Sequence, residues 1–554
     1  MHLLSYICNR YAWQKLIALI LPVLCLLHIS GCYSSSSNDS DGGASDASSD
    51  ENKYADGSSD SATDVDSDTD IDADGDSDTD IDADADADLI DGGNLVWVKQ
   101  AGSIGTDLAR AIALGTDNDF YITGYYNNTS TFGRDEEKES VLEPFGETES
   151  DIFIAKYLDN GNHIWSIRAG GENDDEGKDI TSSADGSLYI TGFFEGTAAF
   201  GDNETTLKSS GKSDIFIAKY NKEGDFLWAT GGGGQENDEG NSIAVSPDNT
   251  IVVAGTLAGQ AVFGDGEASE TTLRRGFFIT KYDSSGVLLW ARGNGQDGVA
   301  SANSVAVHED GSIYATGYLH RATFGKGEPT EKTIEKYGED YDIFVAKYNE
   351  NGDFLWAESA GGIPDTWPGP IEAGHSIALL NDGSALIAGE YSGPSVFGEG
   401  LPNETTLYED HTFFARYGVD GNLKWAKSSK RTGPAGFDAG YAVSLQGGFF
   451  LLAGTFYGEI SFNNVSDVDI SVSSYGHGDL YLGKFDLDGN AIWAKSAGSE
   501  DDHDYVEDIM FLPDNSAIIT GRFSDEAVFG KNEANQEQIT SEGGGDIFIA
   551  KYSP

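Results

Sequence analysis

The sequence predicts an all-β protein, a seven-bladed β-propeller of four-stranded blades closed by N- and C-terminal strands that share one blade. Three observations carry that prediction. A hairpin is spelled almost unchanged as "DIFIAKYLDNGNHIW" at 151 to 165, "DIFIAKYNKEGDFLW" at 214 to 228 and "DIFVAKYNENGDFLW" at 342 to 356. Its tryptophan recurs as Trp97, Trp165, Trp228, Trp290, Trp356, Trp425 and Trp493, at spacings of 68, 63, 62, 66, 69 and 68 residues, and a period of that size marks a repeat architecture. The two ends are halves of one unit. The chain enters the array on "LVWVKQ" and stops on "DIFIAKYSP", with no tryptophan strand after it. Pairing 95 to 100 beside 547 to 552 would close the array without an open sheet edge, which removes an aggregation hazard.

Residues 1 to 32 read as a lipoprotein signal. Arg10 and Lys15 precede "LIALILPVLCLL", a run too short to span a bilayer and of secretory character. The tetrapeptide "ISGC" at 29 to 32 resembles the lipobox of bacterial lipoproteins. That resemblance implies cleavage before Cys32 and acylation of its sulfur and nitrogen, and two or more acyl chains hold a protein stably on a membrane. The expected address is the bacterial cell envelope, at the outer membrane or cell surface. Cys8 and Cys25 fall inside the signal, so the mature chain has one cysteine and can form neither an internal disulfide nor a thiolate metal cluster.

Residues 33 to 93 form a Ser/Asp-rich acidic linker with almost no large apolar residue. Such a segment cannot bury a core and is expected to be disordered. "DIDADGDSDTD" places carboxylates as the first half of an EF-hand loop does, with Gly75 at the turn position, but counting from Asp70 position 12 is Ile81 where a bidentate Glu belongs. The segment reads as a self-repelling tether, about 40 Å long as a flexible coil.

Residues 94 to 554 are the propeller. The second full unit shows the four runs of a blade: "KDITSSA", "SLYITGFF", "DIFIAKY" and "DFLWAT". They are rich in Ile, Val, Phe, Tyr and Thr and bounded by turn dipeptides such as "DG", "NG" and "GG". Both alternating faces of "DIFIAKY" are apolar, so the sheet must be covered on both sides. Packing each blade between two neighbours supplies that cover.

The wording "DIFIAKY", "NGNHIW", "GGENDDEG", "NSIAVSP" and "SLYITG" resembles the bacterial SBBP repeats, whose name refers to a seven-bladed propeller, and the resemblance covers 95 to 552. The sixth unit departs from it with "GDLYLGKF" and "GGFFLLAG", and the third has Gly276 in place of the Asp. The hairpin also looks like the tryptophan-docking repeats of quinoprotein dehydrogenases and outer-membrane assembly lipoproteins. A quinoprotein site with vicinal cysteines is excluded, because the propeller has none. The resemblance implies an envelope or secreted protein and no particular reaction, since propellers host many functions.

Function must come from sites. There is no H-E-x-x-H, G-x-S-x-G or P-loop, and "GGGG" at 231 to 234 reads as a turn. A formal charge of −61 argues against nucleic acid as a partner and against docking on anionic lipid through the propeller. If the Ile-Ala-Val strand is innermost, one face gathers "AGGENDDEG", "GGGGQENDEG" and "AGSEDDHDYVED". A calcium site would then draw on Asp174, Asp175, Glu176, Asp238, Glu239, Asp501, Asp502 and Asp504; the plainer reading is acids that satisfy turn amides and face water. Trp367, braced by Pro364, Pro368 and Pro370, could present a platform for a sugar ring or partner, and Lys430 with Arg431 forms a basic spot on an acidic surface. The sequence therefore predicts a lipid-anchored binding or scaffold module for a protein or glycan partner. A glycan-active hydrolase or lyase using loop carboxylates and a structural surface-coat component are the alternatives.

Overall fold

The computed structural model describes residues 92–554, apart from 147–148, 202–203, 296–297, 337–340, 363–371, 409–410, 432–437, 467 and 501–502. The chain divides into two units, 1–83 and 84–554, and the description that follows concerns the second. The signal with Cys32, the acidic linker, Trp367, Asp501 and Asp502 lie outside the described residues.

Every regular element among the described residues is a β-strand. The third unit shows the recurring plan. Asp238–Val245, Ile251–Leu257, Gly276–Tyr282 and Leu288–Gly293 pair antiparallel in that order, so the Ile-Ala-Val strand is first and the tryptophan strand last. The "DIFIAKY" strand is third and buried on both faces. In Asp151–Leu158, Ile152, Phe153, Ile154 and Ala155 are all at most 1% exposed. β-branched and aromatic side chains suit such a strand because both pleated faces meet packed neighbours.

The two ends of the array share a sheet. Leu95–Ala101 runs antiparallel to Asp546–Tyr552, with Trp97 opposite Lys551 and Ala101 opposite Ile547, and the sheet continues through Ala517–Phe523 to Tyr505–Phe511. Among the described residues no sheet closes on itself. The first strands of successive units are instead stitched by side chains. Asp179 accepts the Ile243 N–H at 2.8 Å, Ser242 that of Val305 at 3.2 Å, Ser304 that of Ile377 at 3.3 Å and Ser376 that of Val443 at 3.2 Å. Ser444 accepts from Phe511 at 3.2 Å, Asp508 from Ile112 at 2.8 Å, and Ser182 donates to the Leu114 carbonyl.

The tryptophans make the outer links. Trp228 Nε1 donates to the Ser284 carbonyl at 3.2 Å, Trp356 to Val419 at 3.0 Å and Trp425 to Leu487 at 3.2 Å, each in the turn of the following unit. The glycine of that turn must lie against the ring. Gly352 has φ +76°, and a Cβ there would sit 2.9 Å from the Trp290 ring. This contact explains why the hairpin always couples a Gly turn to a Trp strand.

One element was not anticipated. Between the second and third strands sits a short antiparallel ribbon, such as Ala261–Phe263 with Thr271–Leu273 or Ser395–Phe397 with Thr405–Leu407. It pairs with the end of the preceding unit's tryptophan strand: Gly232 to Gly234 face Phe263 to Ala261, and Ala360 to Gly362 face Phe397 to Ser395. The glycines are required by the approach, since a Cβ on Gly234 would lie 1.9 Å from the Gln260 carbonyl oxygen.

Candidate functional site

The first strand of every unit carries a β-bulge at the same place. The register shifts between Ala109 and Ala111, Gly177 and Asp179, Gly240 and Ser242, and Ala302 and Ser304. It shifts again between Gly374 and Ser376, Gly440 and Ala442, and Val506 and Asp508. The extra residue is Arg110, Lys178, Asn241, Asn303, His375, Tyr441 and Glu507 in turn. A bulge of this kind re-aims one side chain out of the ladder.

The residue before the bulge is small in six of these seven strands, because there is no room for more. A Cβ on Gly177, Gly240 or Gly374 would lie 2.1–2.4 Å from the Oγ1 of Thr123, Thr191 or Thr316. Those threonines are committed, each donating to the carbonyl of Phe153, Phe216 or Phe344 at 2.8 Å. Two residues before the bulge and opposite it across the ladder, the chemistry again changes from unit to unit: Leu108 with Tyr125, Glu176 with Phe193, Glu239 with Thr256, Ser301 with Tyr318, Ala373 with Glu390, Ala439 with Thr455, and Tyr505 with Arg522.

These variable residues touch across units and form a polar rim. Arg110 pairs with Glu176 at 2.5 Å and Glu507 at 3.0 Å, and Lys178 pairs with Glu239 and reaches Asn241 at 3.2 Å. Asn241 donates to the Ala302 carbonyl at 3.1 Å, and Asn303 to that of Gly374 at 2.9 Å. His375 meets Glu390 at 3.2 Å and its ring lies 5.4 Å from that of Tyr441. Arg522 lies over the Tyr505 ring at 5.2 Å.

The residues expected to hold calcium are not brought together. Among the described residues no group of three or more His, Cys, Asp or Glu side chains is placed to hold a metal ion. Glu176 and Glu239 are spent on Arg110 and Lys178. Asp174 is exposed and accepts from the Ser150 N–H at 3.0 Å. Asp175, Asp238 and Asp504 satisfy loop amides as the plainer reading has it, yet they are buried and do not face water. Asp175 accepts from Gly171 at 2.6 Å and Glu195 at 3.1 Å, Asp238 from Ala258 at 3.1 Å, and Asp504 from Ser499 at 2.7 Å and Ser524 at 2.9 Å. Desolvation pushes the three carboxyls up to about 8, about 7 and about 7 respectively. Each stands beside an acid in the third strand of the preceding unit: Asp151, Asp214 and Asp479.

The basic spot is also occupied. Lys430–Arg431 is a two-residue strand that pairs with Glu459–Phe462; Lys430 lies 3.0 Å from Asp469, and the half-buried Arg431 lies 2.6 Å from Asp438. Asp438 further meets His411 at 3.2 Å. Arg431 thus balances a junction acid.

Histidines in the loops matter more than their isolated positions in the sequence indicate. His503 stacks on His477 with 5.7 Å between centroids and meets Tyr457 edge-on at 5.5 Å. No sequence periodicity links these residues, because they come from three separate loops of two units.

No family model matches the chain, so the resemblance to SBBP repeats rests on the repeat wording. An uncharacterized WD repeat-containing protein of Acanthamoeba polyphaga mimivirus is 23% identical over 511 residues, covering 83% of this chain and 33% of that protein. Regulatory protein FlaEY of Caulobacter vibrioides is 28% identical over 224 residues, 35% of this chain and 22% of that one. The chain thus spans about a third or less of the length of these curated relatives. Among solved structures, the Neurospora crassa Pan2 WD40 domain aligns with a TM-score of 0.40 at 9% identity, covering 82% of this chain and 95% of that one. With its repeated four-stranded units and its WD-repeat relative, the chain is an all-β repeat protein of propeller type.

Proposed function

We propose that the chain is a lipid-anchored envelope protein whose seven four-stranded units form one ring, and that the rim of bulge residues binds a protein or glycan partner. Support for the ring comes from the strand that the two termini share and from the stitches that run from each first strand to the next and from Asp508 back to Ile112. The anchor is Cys32, and the acidic linker holds the ring away from the lipid.

One observation carries the binding reading. The units serve as their own comparison, and the framework is nearly constant: a small residue before the bulge in six of seven, and a Gly turn under the Trp. The rim positions change from Arg to Lys, Asn, His, Tyr and Glu. Packing does not require that variety, since the same backbone accepts all of them. Recognition does, because a ring of identical side chains offers no asymmetric pattern to a partner.

Two experiments test the reading. Labelling cells with radioactive palmitate should mark the full chain and fail to mark Cys32→Ser, which should appear in the soluble fraction; label retained on the variant would refute the anchor. Immobilised full chain should retain a saturable partner from solubilised envelope, and Asn303→Asp with Tyr441→Ala should lose it. Equal retention by that variant would remove the rim as the binding surface.

A further inference from the structure

The cations of the rim are not equally partnered. Arg110 is held between two glutamates and Lys178 by a third. Arg522 differs from both. Among the described residues it has no carboxylate partner, in a chain with 94 acidic and 33 basic residues, and its Nε is buried without a hydrogen-bond partner. The side chain is half-buried and its guanidinium lies 5.2 Å from the Tyr505 ring centroid. A guanidinium held on an aromatic face keeps its fork in a fixed plane, the geometry that takes a carboxylate with two parallel hydrogen bonds.

Ring faces surround it. Tyr505 lies 6.2 Å from His503, which stacks on His477 and meets Tyr457. Two residues before His477, Tyr475 carries the Lys531 ammonium at 4.1 Å. Among the described residues, then, Arg522 stands in a cluster of aromatic rings with no carboxylate paired to its guanidinium. Two acids of the adjoining loops are committed to backbone. Asp504 and Asp479 are buried, accept loop N–H groups, and are pushed by desolvation up to about 7 and about 6.

We propose that this sector of the rim, between the sixth and seventh units, is a subsite for a uronic-acid residue of an acidic glycan, with Arg522 taking the sugar carboxylate and the Tyr and His rings lying on pyranose faces. The inference deepens the rim-binding reading and rests on it. A sugar suits the site because its apolar C–H face packs on rings whose hydroxyl and imidazole edges meet its hydroxyls. An acidic sugar suits it because a partly buried guanidinium without a counterion is costly until an anion arrives.

The test is calorimetric titration of the full chain in detergent with tetragalacturonate, tetramannuronate, the methyl ester of tetragalacturonate, cellotetraose and a tetraglutamate peptide. A tetrauronate should bind, and its ester should bind about tenfold or more weakly, the loss expected of a charge-assisted hydrogen bond. Arg522→Gln should lose about the same factor and Arg522→Lys less, while Lys208→Gln on the far ribbon should change nothing. Should Arg522→Gln fail to fold, Tyr457→Ala and His477→Ala carry the test, each weakening uronate binding with an unchanged melting temperature. Equal binding of acid and ester, uronate binding untouched by Arg522→Gln, or binding of the glutamate peptide alone would overturn the assignment. No probe bound, while rim variants still lose their envelope partner, overturns this subsite and leaves the rim standing; no probe bound and no rim effect overturns both.

Discussion

Replacing Asp151 by Asn should make the protein more stable at neutral pH and leave it unchanged in mild acid. Asp151 and Asp175 are 1% and 0% exposed. Asp175 accepts two backbone N–H groups and Asp151 Oδ2 accepts that of Phe145 at 2.7 Å, but among the described residues Asp151 Oδ1 has no donor. The idealised Cβ of Gly170 would lie 2.5 Å from that oxygen and 2.8 Å from Asp175 Oδ2, so both oxygens crowd one spot. Desolvation pushes Asp175 up to about 8, with the charge of Asp151 adding to the rise, and pushes Asp151 up to about 7. Of the other charged groups facing the pair, Arg168 lowers Asp151 and Asp174 raises both.

Crowded together and desolvated, the two acids should hold one proton between them near neutral pH. A folded value above the unfolded one, about 4 for Asp, means that the pair's stabilisation is complete below pH 4 and is lost as pH rises through 7 and 8. Between pH 5 and 7 the folded pair keeps a proton that the unfolded chain has released. That costs about 1.4 kcal/mol per pH unit, about 3 kcal/mol over the window. Asn at 151 supplies the proton permanently: its carbonyl takes the Phe145 N–H and its amide donates to Asp175. Urea unfolding of the full chain at pH 5, 6, 7 and 8 should give parallel midpoints for the two proteins in acid and a variant more stable by about 2–3 kcal/mol at pH 7.5. The parent should show the infrared band of a protonated carboxyl at pH 7, and the variant should show it weakened. A variant destabilised equally at every pH would refute the shared proton.

Gly352→Ala should destabilise by about 2–3 kcal/mol, from backbone strain at φ +76° plus a contact 2.9 Å from the Trp290 ring. Gly327→Ala, at φ +84° with open space around it, should cost only the strain, about 1 kcal/mol, so equal losses would show that the tryptophan dock is energetically idle. Arg110→Met strands Glu176 and Glu507 at the rim and should lower stability by about 2–4 kcal/mol, with Glu176→Gln and Glu507→Gln restoring most of it; a loss untouched by the added glutamines would mean that Arg110 acts through packing.

The framework was legible because it is periodic. The strand order, with the Ile-Ala-Val run first and Trp last, follows from residues that repeat every 62 to 69 positions. The ribbons escaped notice because their strands are three or four residues long and interrupted by Gly, Asn and Glu. A signal was present: Phe-Gly followed three residues later by Glu, as in Phe132-Gly133 with Glu136 and Phe263-Gly264 with Glu267. These glutamates accept the first N–H groups of the tryptophan strands, His163 at 2.7 Å and Leu288 at 2.8 Å. The rim was illegible for a different reason. A bulge breaks the two-residue period, so Arg110 and Lys178 read as ordinary strand residues. The acids were visible but their depth was not, because a sequence of loop residues does not say which loops fold under the next unit.

The junctions that lack an acid pair show what those carboxyls are for. Where Gly276 replaces the Asp, the idealised Cβ would lie 2.1 Å from the Asn294 amide, so a neutral amide fills the volume. Where His411 replaces it, Asp438 is balanced by that imidazole and by Arg431. Three chemistries thus occupy one place, and each offers an acceptor oxygen, which at Asp438 takes the Tyr457 N–H at 3.2 Å. A group chosen only for charge would not tolerate exchange among amide, ion pair and acid pair. A group chosen to hold buried N–H donors would, because each of the three presents an acceptor oxygen. The acid pairs are therefore structural. Alkaline loosening should therefore begin at acid-paired junctions such as Asp151 with Asp175 and spare the one at Asn294, whose amide does not titrate.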